Sequence, residues 1–209
     1  MAAMRPLFLL AASFCVSVAG NALAQETPPG PPPAPDRTQI VVPGDQAKFD
    51  QAAAAYDAKD YDTAFKIFSE LADNYDLAAM RNVALMERDG LGTDKDPKAA
   101  QEMMQDAAER GLPTAQSDYG IMLLDGYVDD PDPKAALPWL EKAAGANHPV
   151  AQYRLGLLYE EGKTVPQDLK HAEDLYQAAA SRLPEAAARL AALKTGAPLP
   201  LPPPPAAKS

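Results

Sequence analysis

Between about residues 45 and 194, apolar side chains recur at spacings of three and four, which places them on one face of an α-helix. One stripe of this kind consists of Ala151, Leu155, Leu158 and Tyr159. A second kind of stripe alternates small and large residues, as in Ala172, Leu175, Tyr176 and Ala179. The two kinds follow each other along the chain, separated by polar loops. This pattern predicts an all-α protein of about nine paired helices with almost no strand.

The helix pairs repeat with a period of 36 residues. The clearest sets in this register are Ala79, Ala115, Ala151 and Ala187; Gly90, Gly126 and Gly162; and Asp96, Asp132 and Asp168. A fixed period of this size with helical spacing inside each unit is typical of an α-solenoid. We predict one solenoid over 45–194, with units 45–77, 78–113, 114–149 and 150–184 and a half-repeat cap at 185–194.

Special residues in each unit predict how its helices begin, end and pack. The first helix should end at a glycine in the left-handed conformation, which is Gly90, Gly126 or Gly162. The second helix should begin after an aspartate N-cap, which is Asp96, Asp132 or Asp168. A small residue inside the first helix, Ala84, Gly120 or Gly156, allows a neighbouring helix to approach closely. Trp139 is the large residue of a second-helix stripe, and we expect it to be buried.

The two ends of the chain differ from the repeats in composition. Residues 1–24 combine Arg5, an apolar stretch too short to cross a bilayer and the small-x-small site Ala22–Ala24, so they are read as a signal peptide cleaved before Gln25. The single cysteine, Cys15, follows Phe14 rather than the small residue that a lipoprotein signal requires. A periplasmic or secreted location is therefore expected. Proline-rich segments at 25–44 and 195–209 are predicted to be disordered, and they act either as spacers or as docking motifs.

The charge of the chain excludes some classes of partner. Its net charge is −10, and no run of Lys or Arg stands out. Nucleic acids and anionic membrane surfaces both require cationic faces, so neither is expected as a partner. No segment after the signal peptide approaches the length of a transmembrane helix. A monomer is expected.

The third unit resembles a known family of repeats. The segments Ala151–Gly162 and Val165–Asp168 of this unit are similar to the Sel-one-like repeat, a relative of the tetratricopeptide repeat with a longer loop, and Leu137–Ala144 in the preceding unit resembles its second helix. The first and second full units depart from this pattern, with Glu87 and Leu123 where the family has an aromatic residue. The resemblance implies a right-handed superhelix that serves as a scaffold for protein partners, often in bacterial envelopes and signalling.

Residues that could support catalysis or metal binding are few. His148 and His171 fall in different structural positions, and neither has the spacing of a metal-ligand set. Loop aspartates at 94, 96, 129, 130 and 132 could bind calcium, but helix capping explains them as well. We therefore predict no catalytic, cofactor-binding or metal site. The alternatives are a solenoid-based hydrolase or small-ligand-binding protein, as for cysteine-rich family members linked to β-lactam-like ligands, and a structural envelope protein that acts through its proline-rich ends.

The leading hypothesis is a non-catalytic adaptor that binds a protein or peptide. By analogy with tetratricopeptide grooves, first-helix side chains should line the concave face. The candidates are Arg81, Arg88, Ser117, Ile121, Leu124, Tyr153, Leu157 and Glu160, and several of them could equally be core residues. Arg81 and Arg88 lie seven residues apart on one helix face, so they could receive a carboxylate of the partner or could be solvated surface charges.

Overall fold

The computed structural model describes residues 46–197. The predicted signal peptide, the linker at 25–44 and nearly all of the C-terminal tail lie outside these residues. The described part contains nine helices and no strand, as predicted. They are α1 (Gln46–Asp57), α2 (Tyr61–Ala72), α3 (Leu77–Asp89), α4 (Pro97–Glu109), α5 (Pro113–Asp125), α6 (Pro133–Gly145), α7 (Pro149–Glu161), α8 (Leu169–Ala179) and α9 (Pro184–Thr195).

Each helix packs against the next one along the chain, which is the arrangement of a helical-repeat solenoid. The three full repeats are the pairs α3–α4, α5–α6 and α7–α8, with α1–α2 before them and α9 as a final half repeat. No helix within residues 46–197 is both long enough and apolar enough to cross a membrane.

The predicted caps are confirmed at both ends of the loops. The carboxylate of Asp132 accepts a hydrogen bond of 2.9 Å from the backbone N–H of Ala135, and Asp96 and Asp168 cap α4 and α8 in the same way. The glycines that end the first helices adopt the left-handed conformation, with φ of 70° at Gly90, 64° at Gly126 and 70° at Gly162. These local signals fix the helix boundaries because they satisfy backbone groups that the helix itself leaves unpaired.

The centre of each repeat is a second-helix stripe with small residues on both sides of a large one. The stripes are Ala100, Met104 and Ala107; Ala136, Leu140 and Ala143; and Ala172, Tyr176 and Ala179, all at most 1% exposed. The prediction that Trp139 is the buried member was wrong, since Trp139 is only partly buried. Consecutive side chains of an α-helix point in directions that differ by about 100° around its axis. Leu140 therefore points into the core, whereas Trp139 lies at the edge of the core, with its ring edge-on to that of Tyr119 at a centroid distance of 5.3 Å.

The glycines inside the first helices allow close contact with these stripes. A Cβ atom at Gly156 would lie 2.6 Å from a ring carbon of Tyr176, and one at Gly120 would lie 3.0 Å from Leu140. The close approach presses the first helices into the interior, and no residue of α5 or α7 is highly exposed. The second helices, by contrast, keep one polar face in solvent, including Lys134 and Glu141 of α6.

Candidate functional site

The helices α3, α5, α7 and α9, which we call the first-helix row, meet at three junctions in the described chain. At the first junction, between α3 and α5, the Nε atom of Arg81 lies 2.6 Å from the Oδ2 atom of Asp118. The two side chains are 11% and 24% exposed. The charge of Arg81 is therefore already compensated by the neighbouring repeat.

The second junction, between α5 and α7, pairs Asp125 with Arg154 at 3.8 Å. Burial raises the pKa of the Asp125 carboxyl, and the nearby Arg154 opposes that shift. This pair is longer and more exposed than the first, at 27% and 30% of the two side chains. Its contribution to stability should be the smallest of the three.

The third junction, between α7 and α9, holds the most complete network. The guanidinium of Arg189 donates two hydrogen bonds of 2.7 Å to the two carboxylate oxygens of Glu160. The hydroxyl of Tyr176 donates a third, also 2.7 Å long, to the same carboxylate. Burial and this hydrogen bond to Glu160 raise the pKa of Tyr176, so its hydroxyl stays protonated. A bidentate pair with a further donor fixes α9 against the last full repeat.

Near the end of α3, Arg88 is also paired. It donates hydrogen bonds of 2.8 and 2.7 Å to the carboxylate of Asp89, and this contact raises the pKa of the Arg88 guanidinium. The hydroxyl of Tyr127 donates to the backbone carbonyl of Arg88 over 3.0 Å. The two arginines that were candidates for capturing a partner's carboxylate are thus both engaged within the protein.

The remaining predicted residues divide between the core and a half-buried surface. Ser117 is fully buried and Leu157 is 8% exposed, so neither lines an open face. Ile121 and Leu124 are half-buried against the core of the second full repeat. Tyr153 is half-buried, with its ring 5.9 Å from that of Tyr176. Of the eight candidates, Ile121, Leu124 and Tyr153 are the ones that offer apolar surface without a polar partner to displace.

Sequence reasoning named Arg81 and Glu160 as candidates but missed the other members of the ion pairs, which are Asp118, Asp125, Arg154 and Arg189. A signal was present, because Arg81, Ser117, Tyr153 and Arg189 occupy one position of the 36-residue register and Arg88, Leu124 and Glu160 occupy another. Oppositely charged residues at these positions of successive first helices indicate contacts across the repeats. The partners themselves depend on how the repeats stack, which the register alone does not give.

The described structure offers little for catalysis or metal chemistry. His171 is exposed, with its ring edge-on to Tyr159 at 4.4 Å, and His148 lies at the start of α7. His148 and His171 are both absent from the lining of two cavities in the described chain, which have volumes of about 250 and 150 Å³. Within residues 46–197, no three His, Cys, Asp or Glu side chains are grouped so that they could hold a metal ion.

Comparison with solved structures places the solenoid among known relatives. A Sel1 repeat protein from Oxalobacter formigenes is 30% identical with a TM-score of 0.66, and the match covers 71% of this chain and 62% of that one. The immunity protein Pa5087 from Pseudomonas aeruginosa is 27% identical with a TM-score of 0.52, covering 70% of this chain and 56% of that one. This chain therefore spans less than two thirds of the length of these relatives.

A third structure supports the fold alone because its sequence identity is only 23%. It is c5321, a protective antigen present in uropathogenic Escherichia coli strains that displays an SLR fold, with a TM-score of 0.66 and coverage of 72% of this chain and 33% of that one. A search of curated proteins gives no match.

The Sel1 repeat model matches residues 77–112, 113–148 and 149–182. These limits agree closely with the three pairs α3–α4, α5–α6 and α7–α8. The Sel1 repeat fold is a scaffold type used for protein interactions and is generally non-catalytic. Since the matched repeats make up about half of the sequence and coincide with its structural repeats, the chain belongs to the Sel1 repeat family.

Proposed function

We propose that this protein is a non-catalytic scaffold of the bacterial cell envelope that binds a protein or peptide partner on the first-helix row. The observation that carries the proposal is the Arg–carboxylate pair at each of the three junctions of that row in the described chain. We expect these pairs, above all the bidentate Glu160–Arg189 pair, to hold neighbouring repeats in a fixed relation. A surface that is fixed before binding loses less conformational entropy when a partner associates, which favours affinity.

The pairing also determines the chemistry of the contact. Because Arg81 and Arg88 already have carboxylate partners, an incoming carboxylate gains less from them than from an unpaired cation. The half-buried apolar side chains of Ile121, Leu124 and Tyr153 are better anchors, with the paired charges as a polar rim. We therefore expect apolar and aromatic groups of the partner, rather than an acidic terminus, to supply most of the affinity.

A pair of substitutions tests the contact surface without introducing residues that are foreign to the repeat. Leu124→Glu copies Glu160 in the same register position, and Tyr153→Ser copies Ser117. The matched control is Glu141→Gln on the exposed face of α6, where Gln105 and Gln177 occupy the same position. Each variant should first be checked for an unchanged helical circular dichroism spectrum.

The binding measurement starts from capture of a partner from an envelope extract by the wild-type protein. Titration calorimetry with that partner should show at least about tenfold weaker affinity for L124E/Y153S, or about 1.4 kcal/mol, and no change for E141Q. Equal affinities of wild type and L124E/Y153S would assign the contact to the second helices, the loops or the proline-rich ends.

The envelope location has its own test because it depends on residues 1–24 alone. The protein recovered from a periplasmic fraction should begin at Gln25, which N-terminal sequencing or intact-mass measurement would establish. Recovery of a chain that still begins at Met1, or a lipid on Cys15, would contradict export through this signal.

A further inference from the structure

The turn between α2 and α3 presents an exposed tyrosine in a strained backbone conformation. Tyr75 is 64% exposed, more than any other large apolar side chain in residues 46–197. Its backbone is left-handed, with φ of 62°. A bulky residue in this conformation is an outlier, because its Cβ atom lies too close to a neighbouring carbonyl oxygen. Tyr75 therefore carries a conformational cost that burial of its ring does not offset.

The next two repeats show which residues this backbone position favours. Gly111 and Asn147 follow Tyr75 in the 36-residue register, and both are also left-handed, with φ of 97° and 62°. Gly and Asn are the residues that adopt this conformation at the lowest cost. Of these three turns, the first alone has a bulky side chain at this position. An outlier that the turn itself does not require indicates a role other than folding.

A cation from the next repeat holds the ring of Tyr75. The guanidinium carbon of Arg110 lies 4.5 Å from the centroid of this ring. The Nε atom of Arg110 also donates a hydrogen bond of 2.8 Å to Asp106, and the two side chains of this ion pair are 41% and 44% exposed. The ring is thus oriented by one cation while most of its surface stays open. Because the faces of an aromatic ring attract positive charge, the open surface suits a second cation.

The charges around the ring favour the same kind of ligand. Asp73 and Glu109 are exposed and lie within two residues of Tyr75 and Arg110 along the chain. Since Asp106 already compensates Arg110, these two carboxylates add negative charge beside the ring. The net charge of −10 adds a longer-range attraction for basic groups and a repulsion of acidic ones. Tyrosine and arginine are also the residue types that contribute most often to the affinity of protein interfaces.

We propose that Tyr75 and Arg110 form a second interaction surface, which binds a basic segment of a partner protein. An arginine or lysine side chain of that segment packs on the Tyr75 ring, and Asp73 and Glu109 compensate its charge. The surface lies at the turns between repeats, whereas the proposed partner site on the first-helix row consists of other residues. Either proposal can therefore fail while the other holds.

The first test measures whether Tyr75 serves the fold. Tyr75→Asn copies Asn147 and removes the ring, and its Tm in thermal unfolding should equal that of wild type or exceed it. The relief of backbone strain offsets the lost contact with Arg110, which is weak at an exposed site. The reverse change, Asn147→Tyr, should lower Tm by about 2–4 °C. A Tm for Y75N several degrees below wild type would show that Tyr75 stabilises the fold, and the proposal would fall.

The second test uses a defined probe on the full mature chain. The probe is a short Gly/Ser peptide that contains arginine, compared with peptides in which lysine, glutamate or leucine replaces the arginine. The arginine and lysine peptides should shift the NMR resonances of the Tyr75 ring and of the backbone amides at 109–111, and the other two should leave them unchanged. Y75N should bind the arginine peptide about two- to fivefold more weakly, which is the contribution of an exposed cation–π contact.

Charge variants separate this surface from general attraction to an acidic protein. Asp73→Asn with Glu109→Gln should weaken binding of the arginine peptide and reduce its dependence on salt. Glu102→Gln, on the exposed face of α4, is the matched control and should bind as wild type does. Equal affinities of Y75N and wild type, or resonance shifts spread evenly over the acidic surface, would overturn the proposal. Larger shifts with the leucine peptide would assign the surface to an apolar partner, and the basic assignment would be wrong.

Discussion

The network at the junction of α7 and α9 allows a quantitative test of the rigid first-helix row. The perturbation is a double-mutant cycle of Glu160→Gln and Arg189→Met. The Gln substitution keeps an oxygen that can accept the Tyr176 hydroxyl bond, and Met retains much of the length of the arginine stem. The side chains of Arg189 and Glu160 are 8% and 17% exposed, so either substitution leaves one charge in the interior without its main counter-ion.

The expected magnitudes follow from this burial. Removing one member of a fully buried pair costs about 3–5 kcal/mol, and partial access of water to Glu160 lowers this to about 2–4 kcal/mol. The double variant leaves no uncompensated charge, so it should be only about 1 kcal/mol less stable than wild type. The coupling free energy should therefore be about 3 kcal/mol or more. Each single variant should lower Tm by about 5–12 °C for a domain of this size.

Urea denaturation followed by circular dichroism measures the free energies of unfolding of the four proteins. The control cycle is Lys98→Met with Glu102→Gln, a pair 3.8 Å apart on α4 whose side chains are 78% and 70% exposed. Its coupling should stay below about 0.5 kcal/mol. A coupling at Glu160 and Arg189 no larger than this would show that water separates the two groups in solution, and the argument for a rigid row would fail.

Three further predictions concern the repeats themselves. Glu87→Leu should raise Tm at neutral pH, since Leu123 occupies the same register position. Burial raises the pKa of Glu87, so its charged form destabilises the folded state, and the gain in Tm should shrink as the pH falls toward 4.5 and the wild-type carboxylate becomes protonated. Gly156→Ala should destabilise by about 1–2 kcal/mol although Ala is the better helix former, because its Cβ would press on the ring of Tyr176. Trp139→Ala should cost about 2 kcal/mol, less than the equivalent change at fully buried Leu140.

The same denaturation assay checks all three. A Glu87→Leu gain that persists unchanged at pH 4 would mean that the carboxylate is solvated in the folded state. A higher Tm for Gly156→Ala would show that α7 and α8 can separate at little cost. A larger loss for Trp139→Ala than for Leu140→Ala would reverse the assignment of the buried face.

The sequence by itself determined the helices and their order. The 36-residue register, the aspartate N-caps and the left-handed glycines each act within a few residues along the chain, so their consequences could be read without knowing the stacking. Asp132 and Gly126 are examples, and both have the predicted role. The small residues at 120 and 156 also follow from the sequence, since the same position is small in every repeat.

The tertiary structure decided which side chains remain available for binding. Arg81 is identified as a surface cation when its helix is considered alone, yet Asp118, 37 residues away, compensates it. Glu160 is likewise compensated by Arg189, 29 residues away. These contacts depend on the distance and angle between successive repeats, which arise from the packing of whole helices and not from any local signal. The periodic pattern therefore predicts the helical-repeat fold. The stacking of the repeats decides that Arg81 and Glu160, which were expected to contact a partner, form ion pairs within the protein.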